Sequence, residues 1–129
     1  MKPKIIVLCG SSKFTDIMAV CSWLIERDEN AITMGLHLLP RWYFGKDVIS
    51  DHLAEHEGVA GQFDKLHLAK IDLADEIFVV NYEDYIGEST AREVGYAMDH
   101  KKVIRWYTND PIGKKVSEIL IAYLGVEFR

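Results

Sequence analysis

Two stretches of this chain, Lys4-Ile5-Ile6-Val7-Leu8-Cys9 and Glu76-Ile77-Phe78-Val79-Val80, are apolar without interruption and rich in β-branched residues. A strand with one wet face alternates apolar and polar side chains. A strand that does not alternate is covered on both faces, as in a parallel sheet flanked by helices. The first run ends in a small polar turn, Gly10-Ser11-Ser12-Lys13, and the second is followed by Gly87-Glu88-Ser89-Thr90. Each turn leads into a helical pattern. Parallel strands need long crossovers, so the segments between these runs are read as helical connections.

The remaining elements fit that frame. Ile17, Val20, Cys21, Leu24 and Ile25 recur at helical spacing and predict a helix over 14–27, capped by Thr15 or Ser12. Residues 30–36 read as a second strand, 63–73 and 91–100 as helices, and Val103-Ile104-Arg105-Trp106-Tyr107 as a further strand. In 63–73, Phe63, Leu66, Lys70 and Leu73 mark one side, with Asp64, His67, Ile71 and Ala74 close by. Asn109-Asp110-Pro111 reads as a break, and 116–124 as a final helix or buried segment. Residues 37–61 are the least readable. They hold Pro40, the aromatic run Trp42-Tyr43-Phe44, three glycines and a possible short helix over 48–56. The expectation is one α/β domain over 1–129, a doubly wound, Rossmann-like or flavodoxin-like parallel sheet of four or five strands flanked by helices.

A chain of 129 residues, 49% hydrophobic, is long enough for one compact core. Its net charge of −5 is mixed along the chain with no dense basic cluster, so no nucleic-acid polymer is expected as a partner. Small anions remain open, since local amides and one or two cations bind them despite an acidic total. Cys9 and Cys21 fall in apolar patterns and read as reduced core thiols. The first apolar run is too short for a signal peptide or a membrane span, which points to a cytoplasmic protein with no membrane partner. The aromatic run and the tail Ile119-Leu120-Ile121-Ala122-Tyr123-Leu124 offer apolar surface for a homo-oligomer.

Chemistry concentrates after the second apolar run. A strand passing through a Gly/Ser/Thr turn into a helix presents bare amides and hydroxyls at the positive helix end, a setting that suits a phosphate. Glu93 then falls in the first helical turn beside that crevice. Two readings stand: Thr90-x-x-Glu93 is a capping box, or Glu93 is a reactive carboxylate on the rim of an anion pocket. The Gly10-Ser11-Ser12 turn would lie at the same sheet edge, where open α/β sheets bind ligands; it is neither a Walker loop nor a G-x-G-x-x-G fingerprint. Asp64, His67 and Lys70 are spaced three apart, either as a surface charge ladder or as a proton donor to the Glu93 crevice. The aromatic run is either a stacking face for a planar base or a subunit contact. His52 and His56 lack the zincin pattern and read as a solvated face, so neither a metal nor a cofactor is expected.

Four stretches together resemble the nucleoside 2-deoxyribosyltransferase superfamily, which includes 2′-deoxynucleoside 5′-monophosphate N-glycosidases. They are Val7-Leu8-Cys9-Gly10-Ser11-Ser12, Ile71-Asp72-Leu73-Ala74-Asp75, Gly87-Glu88-Ser89-Thr90 and Glu93-Val94-Gly95-Tyr96-Ala97. The last is the most specific, and the resemblance does not reach residues 37–62. A looser similarity, through Thr90-x-x-Glu93, is to cytokinin-activating phosphoribohydrolases, whose double glycine is missing here. The resemblance implies cleavage or transfer of an N-glycosidic bond in a nucleoside or nucleotide. Glu93 would be the nucleophile, and Cys9, Gly10, Ser11, Ser12, Asn81, Gly87, Ser89 and Thr90 would contact substrate. One departure stands out: where relatives commonly carry an Asp two helical turns before Asp75, this chain has His67. Either the proton role then falls to His67, or to Asp64 one turn earlier, or the reaction differs from that of the family.

Overall fold

The computed structural model describes residues 2–37, 43 and 58–125. The expected helix over 48–56, both His52 and His56, and the outer members of the aromatic run, Trp42 and Phe44, lie outside these residues. Four strands, β1 (Ile5–Gly10), β2 (Ile32–Met34), β3 (Glu76–Val80) and β4 (Val103–Trp106), form one parallel sheet in the order β2-β1-β3-β4. Among the described residues four α-helices accompany them: α1 (Thr15–Glu29), α2 (Ala60–Leu73), α3 (Glu88–Asp99) and α4 (Pro111–Leu124). The chain first builds outward from β1 to β2, then crosses back to β3 and builds the other way. The carboxyl ends of β1 and β3 therefore flank the switch point where such sheets form a crevice.

Every residue of β3 is buried, as are all of β1 after Ile5, which matches their unbroken apolar sequence. Alternate side chains go to opposite layers. Ile6, Leu8, Phe78 and Val80 pack with Ile17, Met18, Cys21, Leu24, Ile25, Ile112 and Val116 of α1 and α4. Val7, Cys9, Ile77 and Val79 pack with Ile71, Val94 and Ala97 of α2 and α3. The register pairs Cys9 with Val79 and Gly10 with Val80. Cys9 therefore points into the α2–α3 layer at the carboxyl end of β1. Both cysteines are free and buried.

The structure corrects several local expectations. Ser11 caps the short 3₁₀ turn Ser12–Phe14 by accepting from the Lys13 amide, and α1 then starts with no side-chain cap, so neither Thr15 nor Ser12 has that role. The triplet 109–111 starts a helix as well as breaking the chain. Asp110 accepts from the Ile112 amide at 3.0 Å, and Pro111 sits at the first helical position, where its missing N–H is harmless. A Cβ at Gly113 would collide with the Tyr107 carbonyl, so only glycine lets α4 approach the preceding turn so closely. In α2 the buried residues are His67 and Ile71, while Leu66 and Leu73 are exposed. The inward stripe thus belongs to the imidazole side of the helix, displaced from the leucines.

One polar network on the α1–α4 side ties distant elements together. Arg105 of β4 donates to both carboxylate oxygens of Glu29 at 2.8 Å and to both of Asp110 at 2.9 and 3.0 Å. It also reaches Glu76 at 3.5 Å, which Lys4 holds at 2.8 Å. Among the described residues, no helix is long and apolar enough to cross a membrane.

Candidate functional site

Three side chains from three elements meet beneath the carboxyl ends of β1 and β3. Cys9 is the last but one residue of β1, His67 comes from the middle of α2, and Glu93 from the second turn of α3. All three are buried, with His67 3% and Glu93 8% exposed. The Cys9 Sγ lies 3.4 Å from His67 Nε2, and Glu93 Oε1 lies 3.4 Å from that same nitrogen. The thiol sulfur, the imidazole nitrogen and a Glu93 carboxylate oxygen all lie within 4.8 Å of one another. Among the described residues, His67 Nδ1 is the one buried side-chain polar atom with no hydrogen-bond partner.

The local sequence explains the placement of Glu93. In α3 the buried positions are Thr90, Glu93, Val94 and Ala97, one stripe at helical spacing. Its lower half is apolar and packs on the sheet; its upper half is polar and lies nearer the strand ends. The helix starts at Glu88, three residues before the expected boundary, so Glu93 stands in the second turn. Gly87 is the N-cap and no side chain caps the helix. The Thr90–Glu93 capping box is therefore absent: Thr90 lies inside the helix, and the Glu93 carboxyl faces a thiol and an imidazole. The surface ladder through His67 is absent too, because His67 is buried and Lys70 reaches across to the Gly35 carbonyl at 2.7 Å.

Burial sets the electrostatics. It pushes Glu93 up to about 7, helped by the negative charge of Asp64 and opposed by the Cys9 hydrogen bond and by Arg92. Burial also pulls His67 down to about 4, with the Lys70 charge adding to the effect. The Cys9 thiol is held far above its ordinary value by burial and then by the Glu93 charge. At neutral pH the imidazole and thiol are uncharged, and the carboxyl is poised near its midpoint. Both partners face a single nitrogen, so there is no Cys–His–Glu relay, which would use the two ring nitrogens separately. His67 Nε2 lies 3.4 Å from Glu93 Oε1 and from the Cys9 Sγ, and which of these atoms it serves as donor or acceptor is set by the imidazole tautomer. A neutral imidazole is a hydrogen-bond donor and not a strong acid.

The other anticipated residues divide. Gly10 is buried where β1 meets Met18 and Val80. Ser11 is occupied within its own turn, where its Oγ accepts from Lys13 N at 3.3 Å and its carbonyl from Phe14 N at 2.9 Å. Ser12 is half-buried beside it. Ser89 is exposed and accepts from Arg92 at 3.2 Å. Asn81 is buried but turned toward β4, exchanging two hydrogen bonds with Thr108 at 3.1 and 3.2 Å. Asp64 is exposed and touches none of the three buried groups; it acts on Glu93 only through its charge.

Sequence reading did not foresee how the two loops join. Lys13 lies over the Tyr85 ring at 4.0 Å, and Phe14 meets Tyr82 and Tyr85 edge-on at 5.7 and 6.0 Å. Two aromatics in the 81–86 loop and a Lys-Phe pair after the first turn were the available signal. Those contacts hold the β1 and β3 loops against each other above the switch point. No protein-family model and no curated protein matches the chain.

Proposed function

We propose that the chain cleaves the N-glycosidic bond of a nucleoside or nucleoside 5′-monophosphate, with Glu93 as the nucleophile. The observation that carries this reading is a buried carboxyl at the switch point that, among the described residues, forms no ion pair with a Lys or Arg and serves as no helix cap. Its neighbours are two neutral donors, His67 and Cys9. A carboxylate so placed can form a bond to the anomeric carbon as the carbon–nitrogen bond breaks. The base leaves with the bonding electron pair and is protonated from water. Water then attacks the anomeric carbon and frees Glu93; a second base in place of that water gives transfer. His67 orients and stabilises the carboxylate. The half-buried Ser12 and the unpaired amides at the start of α3 are the groups available to a 5′-phosphate.

The test is release of free base from a panel of deoxyribo- and ribonucleosides and their monophosphates, followed by chromatography. Glu93→Gln should reduce release by about 10³-fold or more. No release from any member, or undiminished release in Glu93→Gln, removes the reading.

A second reading, a nucleotide-binding protein without turnover, draws support from His67, since a neutral imidazole stands where relatives commonly have a carboxyl. In that case Glu93→Gln binds ligand as the parent does, and neither turns over. We also propose a cytoplasmic homo-oligomer, motivated by the exposure of Ile121, Tyr123 and Leu124 at the end of α4. A monomer mass by light scattering at micromolar concentration contradicts the oligomer.

A further inference from the structure

We propose that Cys9, His67 and Glu93 form a binding site for a divalent metal ion of the zinc class, exchangeable rather than structural. The argument is geometric. Sγ, Nε2 and a carboxylate oxygen, one from each residue, all lie within 4.8 Å of one another, and no other such group of Cys, His, Asp or Glu ligand atoms occurs among the described residues. Zinc bond lengths place a thiolate sulfur and an imidazole nitrogen about 3.6 Å apart on a tetrahedron, and a nitrogen and a carboxylate oxygen about 3.3 Å apart. The corresponding separations here are 3.4 and 3.4 Å. One nitrogen facing both the sulfur and the oxygen is the arrangement a central ion requires.

Charge and donor type agree with the geometry. Binding displaces the thiol proton, and any proton on the Glu93 carboxyl, to solvent and leaves the imidazole proton on Nδ1, so that Nε2 offers its lone pair; the result is a thiolate, a carboxylate and a neutral imidazole around a 2+ ion. That cluster has no net charge, which suits a site buried on all three sides. A sulfur, a nitrogen and an oxygen donor favour zinc or cobalt over magnesium or calcium. Three protein donors leave a fourth position for water or a ligand group. Strong zinc sites fix the second ring nitrogen of a ligating histidine with an acceptor. His67 Nδ1 has no partner among the described residues, so we infer moderate affinity and ready removal by chelators.

The metal site does not depend on the glycosidase reading, though it uses the same carboxyl; an ion held by Glu93 blocks its attack on a sugar. The experiment is a cobalt(II) titration of the full, chelator-stripped chain. One equivalent should produce a near-ultraviolet thiolate-to-cobalt band and the strong visible bands of four-coordination. The thiolate band should vanish in Cys9→Ser and persist in Cys21→Ser, and His67→Gln should weaken binding by about tenfold or more. Zinc-edge X-ray absorption of the unsubstituted chain, which needs no variant to fold, should give one sulfur and otherwise light-atom neighbours. No thiolate band in the unsubstituted chain, a band that follows Cys21, or an absorption spectrum without sulfur overturns the proposal. Base release measured with zinc and with chelator reports separately: absent under both, it removes the glycosidase reading and leaves the cobalt result standing.

Discussion

Glu76 and Glu93 are equally buried, at 7% and 8% exposure, and they sit on opposite faces of the same sheet. Glu76 opens β3 on the α1–α4 side, where Lys4 meets it at 2.8 Å and Arg105 at 3.5 Å. Glu93 stands beyond the end of β3 on the α2–α3 side, against a thiol and an imidazole. Taking a carboxyl out of water is costly in both places. The first location offsets that cost with cations; the second leaves it standing as a poised carboxyl. One face therefore uses its charges to hold the fold, and the other keeps an uncompensated carboxyl beneath the strand ends. A carboxylate compensated on the spot holds structure, while an uncompensated one is carried by the stability of the rest of the domain.

The largest test of this contrast removes the cation from the compensated face. Arg105→Met leaves Glu29 and Asp110 without their guanidinium and strips Glu76 of one partner. Deleting one member of a buried ionic network costs roughly 3–5 kcal/mol. Glu29 is partly exposed and Lys4 remains, so the lower end, about 3 kcal/mol, is expected from urea unfolding. A loss below about 1 kcal/mol would place this network among ordinary surface pairs and dissolve the contrast.

The next test removes the charge from the uncompensated face, and its sign is opposite. Glu93 is raised in the fold from 4.5 to about 7. The folded state thus holds this proton more tightly than the unfolded chain does. Its contribution to stability is complete below the unfolded value and is lost as pH rises through about 7. Glu93→Gln, which cannot ionise, should therefore be more stable than the parent at pH 8, by up to roughly 3 kcal/mol. At pH 4 the two should be nearly equal. Thermal melts in the presence of a chelator decide it; a variant destabilised at both pH values shows that the carboxyl is structural.

These two faces were unequally legible in the sequence. The unbroken runs at 5–9 and 76–80 state a buried parallel strand without needing any partner, because burial on both faces erases alternation. The turns after them followed from residue type. Arg105 was passed over because a single cation inside a strand looks the same whether it meets solvent or three carboxylates 5, 29 and 76 positions away. His67 was visible as a residue but not as a buried one, since Leu66 and Leu73 compete for the same helix and only the packing of α2 chooses between them. The Thr90–Glu93 spacing was ambiguous for a related reason. It fits a capping box and a buried stripe equally, and the helix start at Glu88 decides which. Cys9 was expected to contact substrate; its place beside His67 and Glu93 depends on three elements meeting, which no local pattern encodes.

A smaller effect is expected at Asp110, a second carboxyl on the compensated face. Burial raises its pKa, but hydrogen bonds from Arg105 and the Ile112 amide outweigh this and leave it below its ordinary value. The stability it supplies is present above the unfolded value and is lost as pH falls through the depressed one. Asp110→Asn keeps the helix cap and drops the charge, so the cost is about 1 kcal/mol at pH 7. The gap between variant and parent should close on acidification, opposite to the course expected for Glu93→Gln. A gap independent of pH would assign the whole effect to the cap.

The smallest expected effect is the most specific to the uncompensated face. Asp64 lies exposed on α2 and touches neither Glu93 nor His67, yet its negative charge is one of the forces holding the Glu93 proton in place. Asp64→Asn should lower the Glu93 titration by a fraction of a unit, because a charge acting through solvent is screened. If Glu93 is the nucleophile, it must be ionised to act, so the acidic limb of the pH–rate profile should move to lower pH by that fraction. The maximal rate should stay nearly unchanged, and the shift should fade at high salt. A collapse of the maximal rate instead would assign Asp64 a direct proton transfer to the departing base. The carboxyl that looks idle in the free protein would then be the acid that His67, neutral and buried, cannot be.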